Sequence, residues 1–349
     1  MLSPHRKADV KFDKIKNLDE QGHFSTVYLA KDIHLDHEIV IKEIKKKENE
    51  NSDKYFSEAR ILYKHTHPNI VQVHYAAEDE NNIYIAMPFY KKGTISSLLN
   101  ETNLSPREII RYAIQFIGGL HHIHTNKLMH FDIKPNNIMI SNRNEAMLAD
   151  FGLAKYVNNE SLKVRPDQVY MAHTPPELFS IGKDGFNYTY DIYQTGVTLY
   201  RMAIGSQKYT EELNNFKNPT DFDESIKQGK FPQKKYPAHI PKKLIKIINK
   251  CLEFKPEDRY QSALDILNDL SNIKDTDGTL DWKKVDTNDK NISEWNKDSD
   301  DGILKLIYYK NKRETTLYKI KTNGSKRKVG KGCSEKCSES ILQKILKEC

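Results

Sequence analysis

His130-Phe131-Asp132-Ile133-Lys134-Pro135-Asn136-Asn137-Ile138, followed 18 residues after Asp132 by Asp150-Phe151-Gly152, is the stretch on which the reading of this chain turns. For both tracts to be ordinary turns would take several independent coincidences of residue type and spacing. Upstream, KFDKIKNL (11–18), STVYLAKD (25–32) and HEIVIKEI (37–44) are rich in β-branched and aromatic residues, which predicts an antiparallel meander. A helix carrying Phe56, Ala59, Leu62 and Tyr63 comes next, ended by His67-Pro68-Asn69. NIVQVHYAA (69–77) and NNIYIAMPFY (81–90) read as two further strands.

From Pro106 the period changes. Ile109, Ile110, Ala113, Ile114, Phe116, Ile117, Leu120 and Ile123 keep one apolar face of a long helix, and later helices are expected over 191–204, 242–254 and 262–272. A strand-rich first third and a helix-rich remainder predict an α+β protein with two lobes.

The chain has 349 residues, 38% apolar and 30% charged, which is too apolar for a disordered chain. No apolar run approaches the ~18–20 residues that cross a bilayer, and MLSPHRKADVKF has no signal-peptide core, so a cytoplasmic protein without a transmembrane segment is expected. Cys251, Cys333, Cys337 and Cys349 are too few for a disulfide scaffold. Cys333-x₃-Cys337 lacks zinc spacing and a nearby histidine, so reduced thiols are expected.

The net charge of +7 is unevenly spread. Residues 1–273 carry 37 Lys/Arg against 35 Asp/Glu, 274–301 carry 5 against 9, and 302–349 carry 13 against 4. The organisation expected is an extension (1–11), a main domain (12–273), an acidic linker (274–301) and a small basic ββα appendage (302–349) built on ILKLIYYK, ETTLYKIK and SESILQKILKE. The appendage would suit an acidic partner or nucleic acid, although a charge run is more often a solvated face. Trp282 and Trp295 read as packing anchors against the main domain.

The two loops are similar in layout to the catalytic and metal loops of protein kinases, a resemblance that implies phosphoryl transfer. That reaction needs a carboxylate to orient the attacking hydroxyl and oxygen ligands for the Mg²⁺ ions that neutralise the phosphates. Asp132 fits the first task, Asn137 and Asp150 the second, and Lys134 adds positive charge near the transferred group. H-x-D-x-K-P-x-N with D-F-G resembles the catalytic and metal loops of protein kinases. Ile39-Val40-Ile41-Lys42 resembles V-A-I-K on the third strand, and Glu58 lies in the following helix, where an ion pair to Lys42 would aim the ammonium at the ATP phosphates. In Glu20-Gln21-Gly22-His23-Phe24-Ser25-Thr26-Val27 only the middle glycine of G-x-G-x-x-G-x-V is kept, leaving Gly22, Ser25 and Val27 as ATP-binding candidates.

On these motifs, residues 12–273 resemble a eukaryotic-type (Hanks-type) serine/threonine protein kinase domain. The resemblance implies a bilobal fold, ATP and Mg²⁺ as cofactors, and protein substrates. It also makes Met87 the gatekeeper and Pro88 and Tyr90 the adenine contacts of the hinge, pairs Glu177 with Arg259, and has Asp191 support the catalytic loop. Lys134 matches the serine/threonine branch. Phe131 departs from the family's usual arginine, so control by activation-loop phosphorylation is not expected. VYMAHTPPE leaves either Tyr170 or Thr174 in the place of the family's loop threonine. Two rivals stand beside this reading: a pseudokinase scaffold, suggested by the eroded glycine loop, and a small-molecule phosphotransferase of the aminoglycoside-kinase type.

Overall fold

The structure, a computed structural model, describes residues 9–19, 25–46, 56–157, 163–166, 171–179, 185–274 and 278–349. The first lobe is an antiparallel sheet of β1 (Phe12–Asp19), β2 (Ser25–Asp32), β3 (His37–Lys45), β4 (Tyr75–Glu78) and β5 (Asn82–Pro88), in the order β1-β2-β3-β5-β4, with helix α1 (Ser57–Lys64) beside it. Alternation along the strands separates two apolar faces. Tyr28, Ala30, Ile39, Ile41 and Ala86 fill one, while Ile83 and Ile85 pack on Ala59 of α1 at the other. Of the strand expected over 69–77 only 75–78 pairs in the sheet, because Ile70 leaves it to bridge Leu148 in the other lobe.

The second lobe is built on α2 (Ile95–Glu101), α3 (Pro106–Thr125), α4 (Thr189–Ile204), α5 (Ser206–Leu213), α6 (Pro219–Lys227), α7 (Lys242–Cys251) and α8 (Ala263–Ser271). Helix α3 starts where Ser105 and Glu108 form a capping box around Pro106 at the first helical position. Its buried face, with Phe116, Ile117, Leu120 and Ile123, joins Ile192, Val197, Leu199 and Tyr200 of α4 in the largest core cluster. Two short ladders lie on this core: β6 (Leu128–Met129) pairs with β9 (Lys155–Tyr156), and β7 (Ile138–Ile140) with β8 (Ala146–Leu148). They fix the ends of the loops that carry Asp132 and Asp150.

The segment expected as an acidic linker is not one. Residues 283–299 supply β10 (Lys283–Val285) and β11 (Ile292–Ser299) to an antiparallel sheet with β12 (Gly302–Tyr309), β13 (Glu314–Lys321) and β14 (Lys326–Lys328), covered by α9 (Glu339–Glu348). The appendage is therefore a five-stranded sheet with one helix, not ββα. Trp295, Leu306 and Leu317 stand in register across three strands and pack with Trp282 and with Leu342, Ile345 and Leu346 of α9. On the core side of β11, Trp295 is the only apolar residue, among Ser293, Lys297 and Ser299, so no alternating pattern announces the strand.

This sheet is joined to the helical lobe. Trp295 Nε1 donates to His239 Nδ1 at 3.1 Å, both residues being buried, and Trp282 Nε1 donates inward to Leu346 O at 2.8 Å. Asn103 donates to Lys284 O and to Asp286, Arg107 clasps both oxygens of Asp281, and Lys283 pairs with Glu108. Gly205, at φ +85° between α4 and α5, lets Asn103 approach; a Cβ there would lie 2.1 Å from Asn103 Oδ1.

Candidate active site

The loop 130–137 leaves β6 and is gripped from below by α4, whose polar side chains on this face are fully buried. Asp191 accepts the backbone N–H groups of His130 and Phe131, each at 2.8 Å, and bonds His124 Nε2 at 2.8 Å. Burial would raise the Asp191 carboxyl, but His124 and these donors hold it below the usual carboxylate range. The support expected of Asp191 is thus made through backbone amides. His130 accepts from Asp132 N–H at Nδ1 and donates from Nε2 to Ala149 O, so it is a neutral tautomer, and burial keeps its pKa low. It thereby ties the first loop to the residue preceding Asp150. Phe131 and Asp150 both take positive φ, 66° and 58°, a conformation that a non-glycine residue holds only when its surroundings impose it.

Asp132 is 6% exposed. Its Oδ2 accepts from Asn137 Nδ2 at 2.7 Å and lies 2.8 Å from Lys134 Nζ, whereas its Oδ1 is buried with no hydrogen-bond partner among the described residues. A buried carboxylate oxygen left open is costly unless something that donates a proton arrives there. Asn137 Nδ2 also donates to Asp132 O, which leaves the amide oxygen of Asn137 as the atom able to ligate a cation. Across the cleft, Lys42 Nζ lies 2.7 Å from Glu58 Oε2 and 3.4 Å from Asp150 Oδ1. Burial would lower the Lys42 ammonium, yet the two carboxylates outweigh it and raise its pKa, so the ammonium stays charged. Asp150, half-exposed, is held below the usual carboxylate range by Lys42 and then His130, against burial. These groups are an acceptor-only pair, Asp132 and Asp150, an amide oxygen and two fixed ammonium groups, a set that suits phosphate and a hard divalent cation.

The remaining candidates fall as follows. Ser25 and Val27 open β2, facing Ile44 and Lys42 of β3, and are partly buried. Gly22 lies outside the described residues, as does Tyr170. Pro88 ends β5 opposite Ile39, and Tyr90 follows it, its carbonyl accepting from Gly93 N–H. Glu177 and Arg259 form a buried two-pronged ion pair, 2.7 Å on each arm. Phe131 is fully buried against Met129, Val157, Phe186 and Tyr190, so an apolar cluster occupies the place where the resemblance would have put an arginine. The sequence reading missed Gln194 and Thr198, polar residues of α4 that also bond the loop 130–137. The signal available was two uncharged polar residues three and seven positions after Asp191, on the same helix face.

The protein-kinase domain family matches residues 16–270, so the chain belongs to the protein kinase family. Among its curated relatives is a "Probable serine/threonine-protein kinase" of Clostridium acetobutylicum, 32% identical over 72% of this chain and 38% of the relative. A protein of the same printed name from Clostridium perfringens is 27% identical over 77% of this chain and 39% of its own length. Serine/threonine-protein kinase PrkC of Bacillus subtilis is 27% identical over 73% of this chain and 39% of its own. The chain thus spans about two fifths of the length of these relatives. Among the described residues no helix is long and apolar enough to cross a membrane.

Proposed function

We propose that this chain is an ATP-dependent serine/threonine protein kinase that transfers the γ-phosphoryl group of ATP to protein hydroxyls. The observation that carries the reading is the open Oδ1 of Asp132, buried beside Lys134 and meeting no donor among the described residues, while the second oxygen of the same carboxylate is held by Asn137 and Lys134. An acceptor hydroxyl at Oδ1 would be oriented for attack, and Lys134 would offset charge gathering on the transferred group. Lys42, kept in place by Glu58, would meet the α- and β-phosphates; Gly22, Ser25 and Val27 would cover the nucleotide, and the Pro88 carbonyl and Tyr90 amide would bond adenine. Mg²⁺ fits Asn137 and Asp150, an amide oxygen and a carboxylate held ionised, and it would neutralise phosphate charge.

Serine and threonine as acceptors are supported by Lys134 two residues after Asp132 and by the names of the relatives. The intact Lys42–Glu58 pair argues against a pseudokinase, and the Glu177–Arg259 pair, part of a lower lobe that serves a polypeptide, against a small-molecule phosphotransferase. A cytoplasmic setting rests on the sparse cysteines of the sequence. An anionic partner at 302–349 rests on the charge of that segment alone. The test is to offer labelled ATP and Mg²⁺ with casein or myelin basic protein. Label on serine or threonine of the protein supports the reading; transfer to small molecules only, or to nothing, overturns it.

A further inference from the structure

Helix α4 does more than hold the loop through Asp191. Asp191, Gln194 and Thr198 are spaced so that one helix face presents all three, and each is 0% exposed. Asp191 takes the N–H groups of His130 and Phe131. Gln194 Nε2 donates to Phe131 O at 2.9 Å, and Gln194 Oε1 accepts Ile133 N–H at 3.1 Å. Thr198 Oγ1 donates to Ile133 O at 3.3 Å. The peptide groups immediately before and after Asp132 are therefore held by the two ends of one planar amide. Asp132's own backbone is held elsewhere, its N–H by His130 Nδ1 and its carbonyl by Asn137.

The position is one where such a grip has something to resist. Phe131 sits at φ 66°, a strained torsion for an aromatic residue that persists only if neighbours enforce it. A relaxation of that torsion would rotate the next residue, and the next residue is Asp132. An amide of glutamine length supplies a donor and an acceptor together. An apolar side chain of similar size would fill the space while leaving Phe131 O and Ile133 N–H buried without partners.

We propose that Gln194 is a positioning residue for phosphoryl transfer, its side-chain amide fixing the aim of Asp132 by clamping the peptide groups on either side of it. The proposal rests on the kinase reading of Asp132 given above. It differs from simple satisfaction of buried polar groups, because a purely structural role would lower stability without lowering the rate of the folded enzyme.

The experiment compares full-length wild type, Gln194→Leu and Gln194→Glu, with melting temperatures measured alongside kcat and KM for ATP and a peptide, from about pH 6 to pH 9 and well below the lowest melting temperature. Gln194→Leu is expected to lower kcat roughly 10- to 100-fold with KM for ATP changed less than about threefold, since the Lys42 side of the cleft is untouched. Gln194→Glu supplies an internal rescue. A protonated carboxyl reproduces both bonds, donating to Phe131 O and accepting Ile133 N–H, whereas the ionised form can only accept. That carboxyl would share its surroundings with Asp191 on the same helix and with Asp132 and His130 on the loop; burial and the two carboxylates push its pKa up. Its kcat should approach wild type at the acid end and fall toward the Gln194→Leu value as pH rises, a step absent from wild type. A Gln194→Leu enzyme within about threefold of the wild-type kcat, or a Gln194→Glu profile parallel to wild type across the range, overturns the proposal. If Gln194→Leu does not fold, the Gln194→Glu profile decides alone. Wild type inactive on every protein substrate would instead overturn the kinase reading, a separate outcome.

Discussion

The grip of α4 on the catalytic loop and the seam between the helical lobe and the C-terminal sheet are made of similar bonds in opposite surroundings. Asp191, Gln194 and Thr198 are shut away from water, whereas Arg107 and Asp281, which meet across the seam at 2.5 and 3.1 Å, keep 46% and 41% of their side-chain surface exposed. Burial decides what each bond does. Inside, a lost partner leaves a polar group stranded, at about 1–3 kcal/mol, so the bonds dictate geometry. At the surface water substitutes for the partner, and an ion pair contributes at most about 1 kcal/mol. The seam is therefore held by what it buries, the Trp295–His239 bond and the cluster around Trp282, more than by its charged clasps.

The largest effect should come from the loop that the buried grip positions. Asp132→Ala and Asp150→Ala are each expected to lower phosphotransfer by about a hundredfold or more with little change in melting temperature, measured with labelled ATP and scanning calorimetry. A rate within a few-fold of wild type for either would remove that residue from the site.

Next in size is the buried half of the seam. Trp295→Ala should cost about 3–5 kcal/mol and several degrees of melting temperature, and a chain truncated after Ile273 should melt lower still or aggregate. Should the truncated chain melt like wild type and phosphorylate a short peptide normally, residues 278–349 would be a separable docking element and the contrast drawn here would fail.

Acid probes the same contact more gently. His239 is pushed down to about 3, first by burial and then by Lys284, so it is neutral in the fold and accepts from Trp295. A histidine whose folded pKa lies below its unfolded value of about 6.5 stabilises the neutral fold above 6.5, and that stability drains as pH falls from about 6.5 toward 3. The expected loss for this group is about 1 kcal/mol between pH 6.5 and 5.5, read by denaturant melts. His239→Asn, which keeps an acceptor that does not titrate, should flatten the slope; an unchanged slope would assign it to the other buried histidines, such as His65 and His130.

The exposed clasp should matter least among the stability effects. Arg107→Ala should cost under about 1 kcal/mol, less at high salt. A loss of several degrees would mean that the clasp is shielded in solution. Phosphatase treatment should leave the rate unchanged, since Phe131 packs into an apolar cluster where a phosphate-reading cation would stand. A fall in rate restored by phosphorylation at Tyr170 or Thr174 would show that another cation has taken that role.

How much of this was legible in the sequence depended on whether the signal was local. The β1–β3 meander is rich in β-branched and aromatic residues, α3 and α4 carry apolar residues at helical spacing, and all were read close to where they lie. The two loops were legible because their residue types and spacing match the protein-kinase pattern. Strand β11 was not. Ile292-Ser293-Glu294-Trp295-Asn296-Lys297-Asp298-Ser299 is polar and acidic, and it is a strand because β12 offers it a complete ladder and Trp295 a buried place beside Leu306.

By itself, then, the sequence determined the two-lobed fold and the family and singled out the candidate residues from Lys42 to Asp150, because residue type, periodicity and motif spacing are properties of nearby residues. Only the tertiary structure decided that Asp132 keeps one oxygen without a partner among the described residues, that Gln194 holds the peptide groups around it from a helix 61 residues beyond Ile133, and that residues 278–349 close on the helical lobe. Those facts depend on hydrogen bonds and burial between segments distant in the chain, and no local pattern of residue types encodes which backbone groups will meet.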